Sequence, residues 1–171
     1  MRLCMKPINH GPLRQLVQMA VCTALIFGVQ VAFAPLPNIE LVTLLFLLYT
    51  RWFGKKSLLI VYVFVALEIL LYGAHIWALT YLYIWALLWL VAFLFSKKQR
   101  SLLFWAVIGG GYGLLFGLLC TPVYVITSGP QAAFAWWVAG IPFDVVHCCG
   151  NILAVLVLYR PLDMLYQKHF A

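Results

Sequence analysis

The chain has 171 residues, of which 66% are hydrophobic and only 9% charged, and its mean hydropathy is +1.04. A soluble domain of this size carries about a quarter charged residues, so composition excludes a water-soluble enzyme, a nucleic-acid-binding domain and a disordered chain. The net charge of +7 is therefore read first as membrane topology.

A membrane-spanning helix needs about 20 apolar residues, so six of them use about 120 positions and leave about 50 for ends and connections. That predicts a single six-helix membrane domain over residues 1–171, with no room for a soluble domain. The first apolar stretch covers residues 13–34, behind Arg2, Lys6 and Arg14. Its end, Ala32-Phe33-Ala34, imitates a leader-peptide cleavage site. The run is about 20 residues long, however, as a span is, and Pro35 would follow the cut, so the sequence predicts an uncleaved first span.

After the turn signal Pro35-Leu36-Pro37-Asn38, a short second stretch covers residues 39–53 and carries Glu40 near its start. Arg51, Lys55 and Lys56 separate it from a third stretch, residues 58–73, where Glu68, Tyr72 and His75 are spaced to share one helical face. The fourth stretch, residues 77–95, places Trp77, Tyr81, Trp85 and Trp89 at four-residue steps. Lys97, Lys98 and Arg100 precede the fifth, residues 102–126, in which Gly109, Gly113 and Gly117 repeat every four residues. No Lys-Ser/Thr follows the Gly109-Gly110-Gly111 cluster, so close helix packing explains these glycines better than a phosphate loop. The sixth stretch, residues 132–159, is interrupted at Gly140-Ile141-Pro142 and then carries Asp144, His147 and Asn151 on one face. A helix starting at Pro142 puts Asp144 near the outer rim; one starting near Ala132 puts it near mid-membrane.

Arg160 and Lys168 follow the last stretch, and all eleven Lys and Arg fall on one side of this alternation. The positive-inside rule makes that side the cytoplasm. The expectation is an all-α integral membrane protein with six transmembrane helices and both termini cytoplasmic.

Ionisable groups within a bilayer cost at least about 2.5–3.5 kcal/mol near a helix centre and are functional candidates for that reason. Of the four acids, Asp163 sits at the cytoplasmic end beside Arg160, where local pairing is expected. Glu40, Glu68 and Asp144 fall in the outward half or near mid-membrane. A carboxylate face, a polar face and an aromatic stripe opening to the same side can enclose a small aromatic solute. Trp77, Trp136 and Trp137 also suit an outer aromatic belt, and Trp52 and Trp105 an inner one. Glu68 with His75 suits an interhelical pair without a ligand. Asp144 and His147, with His75 as a third, fall short of a complete metal site, and no metal is expected. The five cysteines, Cys4, Cys22, Cys120, Cys148 and Cys149, form no Cys-x-x-Cys pair and read as small apolar residues. A thiol enzyme using His147 with Cys148 or Cys149 is the alternative reading, although neighbours on a helix point about 100° apart. A purely structural assembly subunit is a third.

Six short spans, the Ala20-xxx-Ala24 pair on the first helix and the run from Gly140-Ile-Pro-Phe-Asp144 through His147 and Asn151 to Tyr159-Arg-Pro-Leu162 resemble the substrate-binding (S) components of energy-coupling factor vitamin transporters. The resemblance covers essentially the whole chain. It implies a six-helix bundle in a bacterial plasma membrane that captures a water-soluble vitamin in an outward-facing cavity and is not itself an enzyme. The implied partners are a transmembrane coupling protein and two ATP-binding subunits, which use the ATP; no cofactor is implied for this chain. The family's Ala-xxx-Ala motif faces the coupling protein, a role that carries onto Ala20 and Ala24. A carboxylate and a polar or basic residue early in the last helix bind the ligand, which maps onto Asp144 and His147, with His where the biotin-binding branch has lysine. Glu40, Glu68, His75, Asn151, Trp77, Tyr81, Trp85 and Trp137 complete the candidate substrate site. With no outward Lys or Arg, a carboxylate ligand would lack a fixed cationic partner. A cationic or neutral heteroaromatic, such as a vitamin B6 amine or a thiamine-type compound, fits better.

Overall fold

In the computed structural model, which describes residues 11–36 and 38–170, each of the six apolar stretches becomes one α-helix. They are α1 (Pro12–Phe33), α2 (Val42–Phe53), α3 (Ser57–Tyr72), α4 (Ile76–Ser96), α5 (Leu102–Ser128) and α6 (Pro130–His169), with one short 3-10 turn at Gly54–Lys56. No strand occurs among the described residues. Arg2, Cys4 and Lys6, to which the sequence reading assigned parts, lie outside them, as does Pro37. Four helices, α1, α4, α5 and α6, are long and apolar enough to cross a membrane. With 12 and 16 residues, α2 and α3 fall short of the usual length of about 20.

The helix ends follow local chemistry. Proline stands in the first turn of α1 and of α6, where a missing N–H costs nothing. The Ser101 side chain caps α5 by accepting from the Phe104 N–H. Between α5 and α6 the chain reverses at Gly129, whose φ of +84° is a conformation that L side chains rarely adopt. Although Pro142 and Pro161 lie inside it, α6 is continuous over 40 residues. That resolves the choice of start: Asp144 follows a full helical lead-in from Pro130, about 21 Å long at 1.5 Å per residue.

Antiparallel pairing of α5 with α6 is the tightest contact in the bundle, and the glycine stripe makes it possible. A Cβ on Gly113 would lie 2.8–2.9 Å from the His147 and Cys148 backbone, and one on Gly117 would lie 2.5 Å from Asp144 Oδ2. The expected packing role of this stripe is thus what the helices display. At the hairpin end of the pair Tyr124 stacks on Trp136 at 4.0 Å, and at the far end Trp105 stacks on Tyr159.

Helix α2 occupies the middle, with ten of its twelve residues buried, as befits a helix apolar all round. Its threonine hydroxyls are satisfied locally: Thr50, for example, donates to the Phe46 carbonyl at 2.7 Å. Near its C-terminal end, Arg51 pairs with Asp163 at 3.3 Å, and Trp52 donates to Asp163 at 2.8 Å while stacking on Tyr166. Asp163 therefore pairs across to α2, not with its neighbour Arg160. Nor do Trp52 and Trp105 form an interfacial belt: Trp105 is fully buried, and Trp52 is engaged by α6. The Lys56 ammonium bonds the Gln15 side chain and Gln18 donates to the Phe170 carbonyl. The starts of α1 and α3 and the ends of α2 and α6 thus meet at one end of the bundle.

Gly113→Ala should lower stability in detergent by about 1–3 kcal/mol, the usual cost of overpacking, despite alanine's better helix propensity. Gly111→Ala, whose Cβ meets nothing within 4 Å, should leave it unchanged or slightly raised. Thermal unfolding followed by circular dichroism separates the two.

Candidate functional site

The connection between α1 and α2 does not stay at the rim. Its last residues reach His147, about 26 Å along α6 from Pro130 at 1.5 Å per residue. The Asn38 carbonyl approaches α6 at Gly150, where a Cβ would lie 3.8 Å away. This descent is possible because α2 begins only at Val42.

Glu40 is the junction of the site. Its carboxylate accepts from the Thr43 N–H at 3.0 and 3.2 Å and from the Thr43 hydroxyl at 2.6 Å, closing the first turn of α2 as an acid at a helix N-terminus does. On its other side it lies 3.0 Å from His147 Nε2. A carboxylate only accepts, so this contact places the ring proton on Nε2. Asn151 Nδ2 completes the chain, donating to the Thr43 hydroxyl and to the Gly109 carbonyl, both at 3.2 Å. Among the described residues His147 Nδ1 and Asn151 Oδ1 are buried without a hydrogen-bond partner.

Above this network lies a cavity of about 240 Å³. Its inner wall is Glu40, Tyr81, Trp85, Phe116 and His147, and the end of α1 and the following loop supply Gln30, Phe33, Asn38 and Ile39. The rings form a continuous surface: Tyr81 meets Trp85 edge-on, Trp85 leans on Phe116, and Phe116 meets the His147 ring at 5.0 Å. Among the described residues, no Lys or Arg lines it.

Of the residues expected at a ligand site, Glu40, His147, Tyr81 and Trp85 come together here, and Asn151 supports them from below. Asp144 is buried one turn from His147 and stands outside the cavity lining. Its Oδ1 accepts from the Gly117 N–H at 3.1 Å, and its Oδ2 has no partner among the described residues. Glu68 is buried on α3, also away from the lining, with Oε1 unpartnered among the described residues.

The expected Glu68–His75 pair does not form. α3 ends at Tyr72 and Gly73 turns the chain at φ +84°, so His75 leaves the face that helical spacing assigned to it and sits exposed before α4. Trp77 packs on Tyr72 and Tyr81 outside the cavity, and Trp137 meets Phe134 on the α5–α6 hairpin. Trp89 belongs to the opposite end, donating to the Ser57 hydroxyl at 3.0 Å.

Cys148 faces Gly110, and Cys149 is exposed. Neither thiol bonds His147, whose ring is turned to Glu40 and Phe116. Among the described residues no three His, Cys, Asp or Glu converge as a metal site. Ala20 and Ala24 lie together on the exposed side of α1, along a groove shared with α3.

Sequence reasoning missed Thr43, Phe116, Gln30 and Asn38. Thr43 carried a usable signal, an acid three residues ahead of a hydroxyl at a helix start; Gln30 and Asn38 carried none, because only the folded-in loop brings them to the cavity. No family model, curated protein or solved structure matches this chain.

Thr43→Val and Asn151→Leu should each destabilise the protein by about 1–3 kcal/mol, because each strands a buried polar partner. The double variant should cost less than the sum, by at least about 0.5 kcal/mol. A double-mutant cycle on unfolding in detergent measures this, and strict additivity would disprove the shared network.

Proposed function

We propose that this chain is the substrate-capturing subunit of an energy-coupling-factor importer in a bacterial plasma membrane, binding a small heteroaromatic vitamin or precursor in the Glu40–His147 cavity. The observation that carries the reading is that cavity: a largely buried carboxylate–imidazole pair beneath a wall of Tyr81, Trp85 and Phe116, with no Lys or Arg among the described residues of its lining. Aromatic walls supply affinity by stacking, and a few fixed polar groups set orientation. Its volume is below the roughly 300–1,000 Å³ of drug-sized sites, which favours a single-ring amine such as a B6 vitamer over larger vitamins.

In this reading all six helices are spans, with α2 a short one shielded inside the bundle and α3 a short one on its face, and both termini are cytoplasmic. The basic residues between α2 and α3, between α4 and α5 and near the end of α6 support that orientation. The cavity then opens outward, where a scarce solute is met. Delivery belongs to partners: a coupling protein that docks on the Ala20 and Ala24 side of α1, and two ATP-binding subunits that hydrolyse ATP. The chain itself performs no catalysis.

Titration of the purified protein with pyridoxamine, thiamine, riboflavin, biotin and pantothenate, read by tryptophan fluorescence, tests this directly, since Trp85 lines the cavity. Saturable quenching by a cationic or neutral ring compound is expected, with biotin and pantothenate inert. His147→Ala and Glu40→Gln, both in the cavity lining, should weaken binding by at least about tenfold, equivalent to about 1.4 kcal/mol, without loss of helicity. Wild-type affinity in both would remove the site assignment. Ala24→Trp should leave binding intact and stop uptake into cells.

A further inference from the structure

We infer that the groove between α1 and α3 is a binding site for one anionic phospholipid, its headgroup on Lys55 and Lys56 and an acyl chain along the helices. The groove has two connected parts. At the basic end a space of about 260 Å³ is bounded by Gln15, Lys55 and Lys56. Leu16, Met19 and Leu59 line it too, and the same three residues line the next space, of about 270 Å³. That second part is walled by Ala20, Ala24, Val63 and Leu67 and is apolar apart from Thr23, whose hydroxyl is already spent on the Met19 carbonyl at 2.8 Å.

Length and charge both match a lipid. From Lys56 to Leu67 the groove follows α3 for about 16 Å at 1.5 Å per residue, close to one leaflet of a hydrocarbon core about 30 Å thick. Both lysines are exposed. Among the described residues neither pairs with a carboxylate, because Asp163 is taken by Arg51 and Trp52. Lys56 is held in place by Gln15. Two uncompensated cations at the interface end of a leaflet-long apolar channel recognise a net-negative phosphodiester headgroup. The site stands whether or not the chain is a transporter subunit. A coupling protein docking on Ala20 and Ala24 would displace the acyl chain.

Native mass spectrometry of the full chain in neutral detergent, titrated with phosphatidylglycerol or phosphatidylcholine, tests the site. One phosphatidylglycerol should be retained preferentially. Lys55→Gln with Lys56→Gln should lower its apparent affinity by about thirtyfold, from about fivefold per lysine. Lys97→Gln with Lys98→Gln, also at exposed positions, should change it little. Ala24→Trp, which fills the channel from a lipid-facing position, should abolish retention while preserving helicity. Equal retention of phosphatidylcholine would overturn the proposal, as would equal losses in the two lysine pairs or a copurifying polypeptide that occupies the groove and excludes lipid.

Discussion

A carboxylate cannot be carried into an apolar bundle without donors around it, and Glu40 obtains them from two helices. The backbone and hydroxyl of Thr43 hold it from α2, and His147 holds it from α6. Satisfying that one group draws the connection after α1 down beside α6. The loop then walls a cavity instead of capping the bundle. The same bonds fix the imidazole tautomer and, through Asn151, link α2 to the Gly109 carbonyl of α5.

The depth at which this occurs is set by glycine. Because Gly113 has no side chain, the α6 backbone at His147 lies directly against α5, and the imidazole is placed by backbone contact rather than through flexible intermediaries. Phe116, on the following turn of α5, closes on the ring from the side. Trp85 and Tyr81 continue the aromatic surface onto α4, and Tyr112 anchors it from behind, donating to the Ile84 carbonyl at 3.0 Å. This aromatic surface is assembled from helices α4, α5 and α6, and on the proposed reading such preorganisation limits the ordering cost of binding.

The two ends of the bundle are chemically unlike. At one end Arg51 with Asp163, Lys56 with Gln15 and the stack of Trp52 on Tyr166 tie four elements together around excess positive charge. Towards the other lies the cavity, with carboxylate and imidazole but, among the described residues, no lysine or arginine. On the proposed reading, the first end would meet anionic lipid and partners and the second a cationic or neutral solute.

Composition and hydropathy were enough to define an all-helical chain of membrane type, because each apolar stretch must satisfy its own backbone hydrogen bonds locally. The four-residue spacing of Gly109, Gly113 and Gly117 was legible for a similar reason, since close helix approach needs small residues on one face. Spacing misled where a helix ended early: His75 fell off the face of Glu68 once Gly73 turned the chain. It also misled where side chains serve non-local partners: Asp163 pairs with Arg51 rather than beside Arg160, and Trp105 is buried against Tyr159 rather than in a belt. Sequence alone selected Asp144, His147, Asn151, Glu40, Tyr81 and Trp85 as candidates, since polar groups and rings in an apolar chain stand out one by one. Only the tertiary structure decided which of them meet, joining Glu40 to His147 and leaving Asp144 behind on Gly117. That outcome depends on how far a loop folds inward between helices, a distance that no local periodicity encodes.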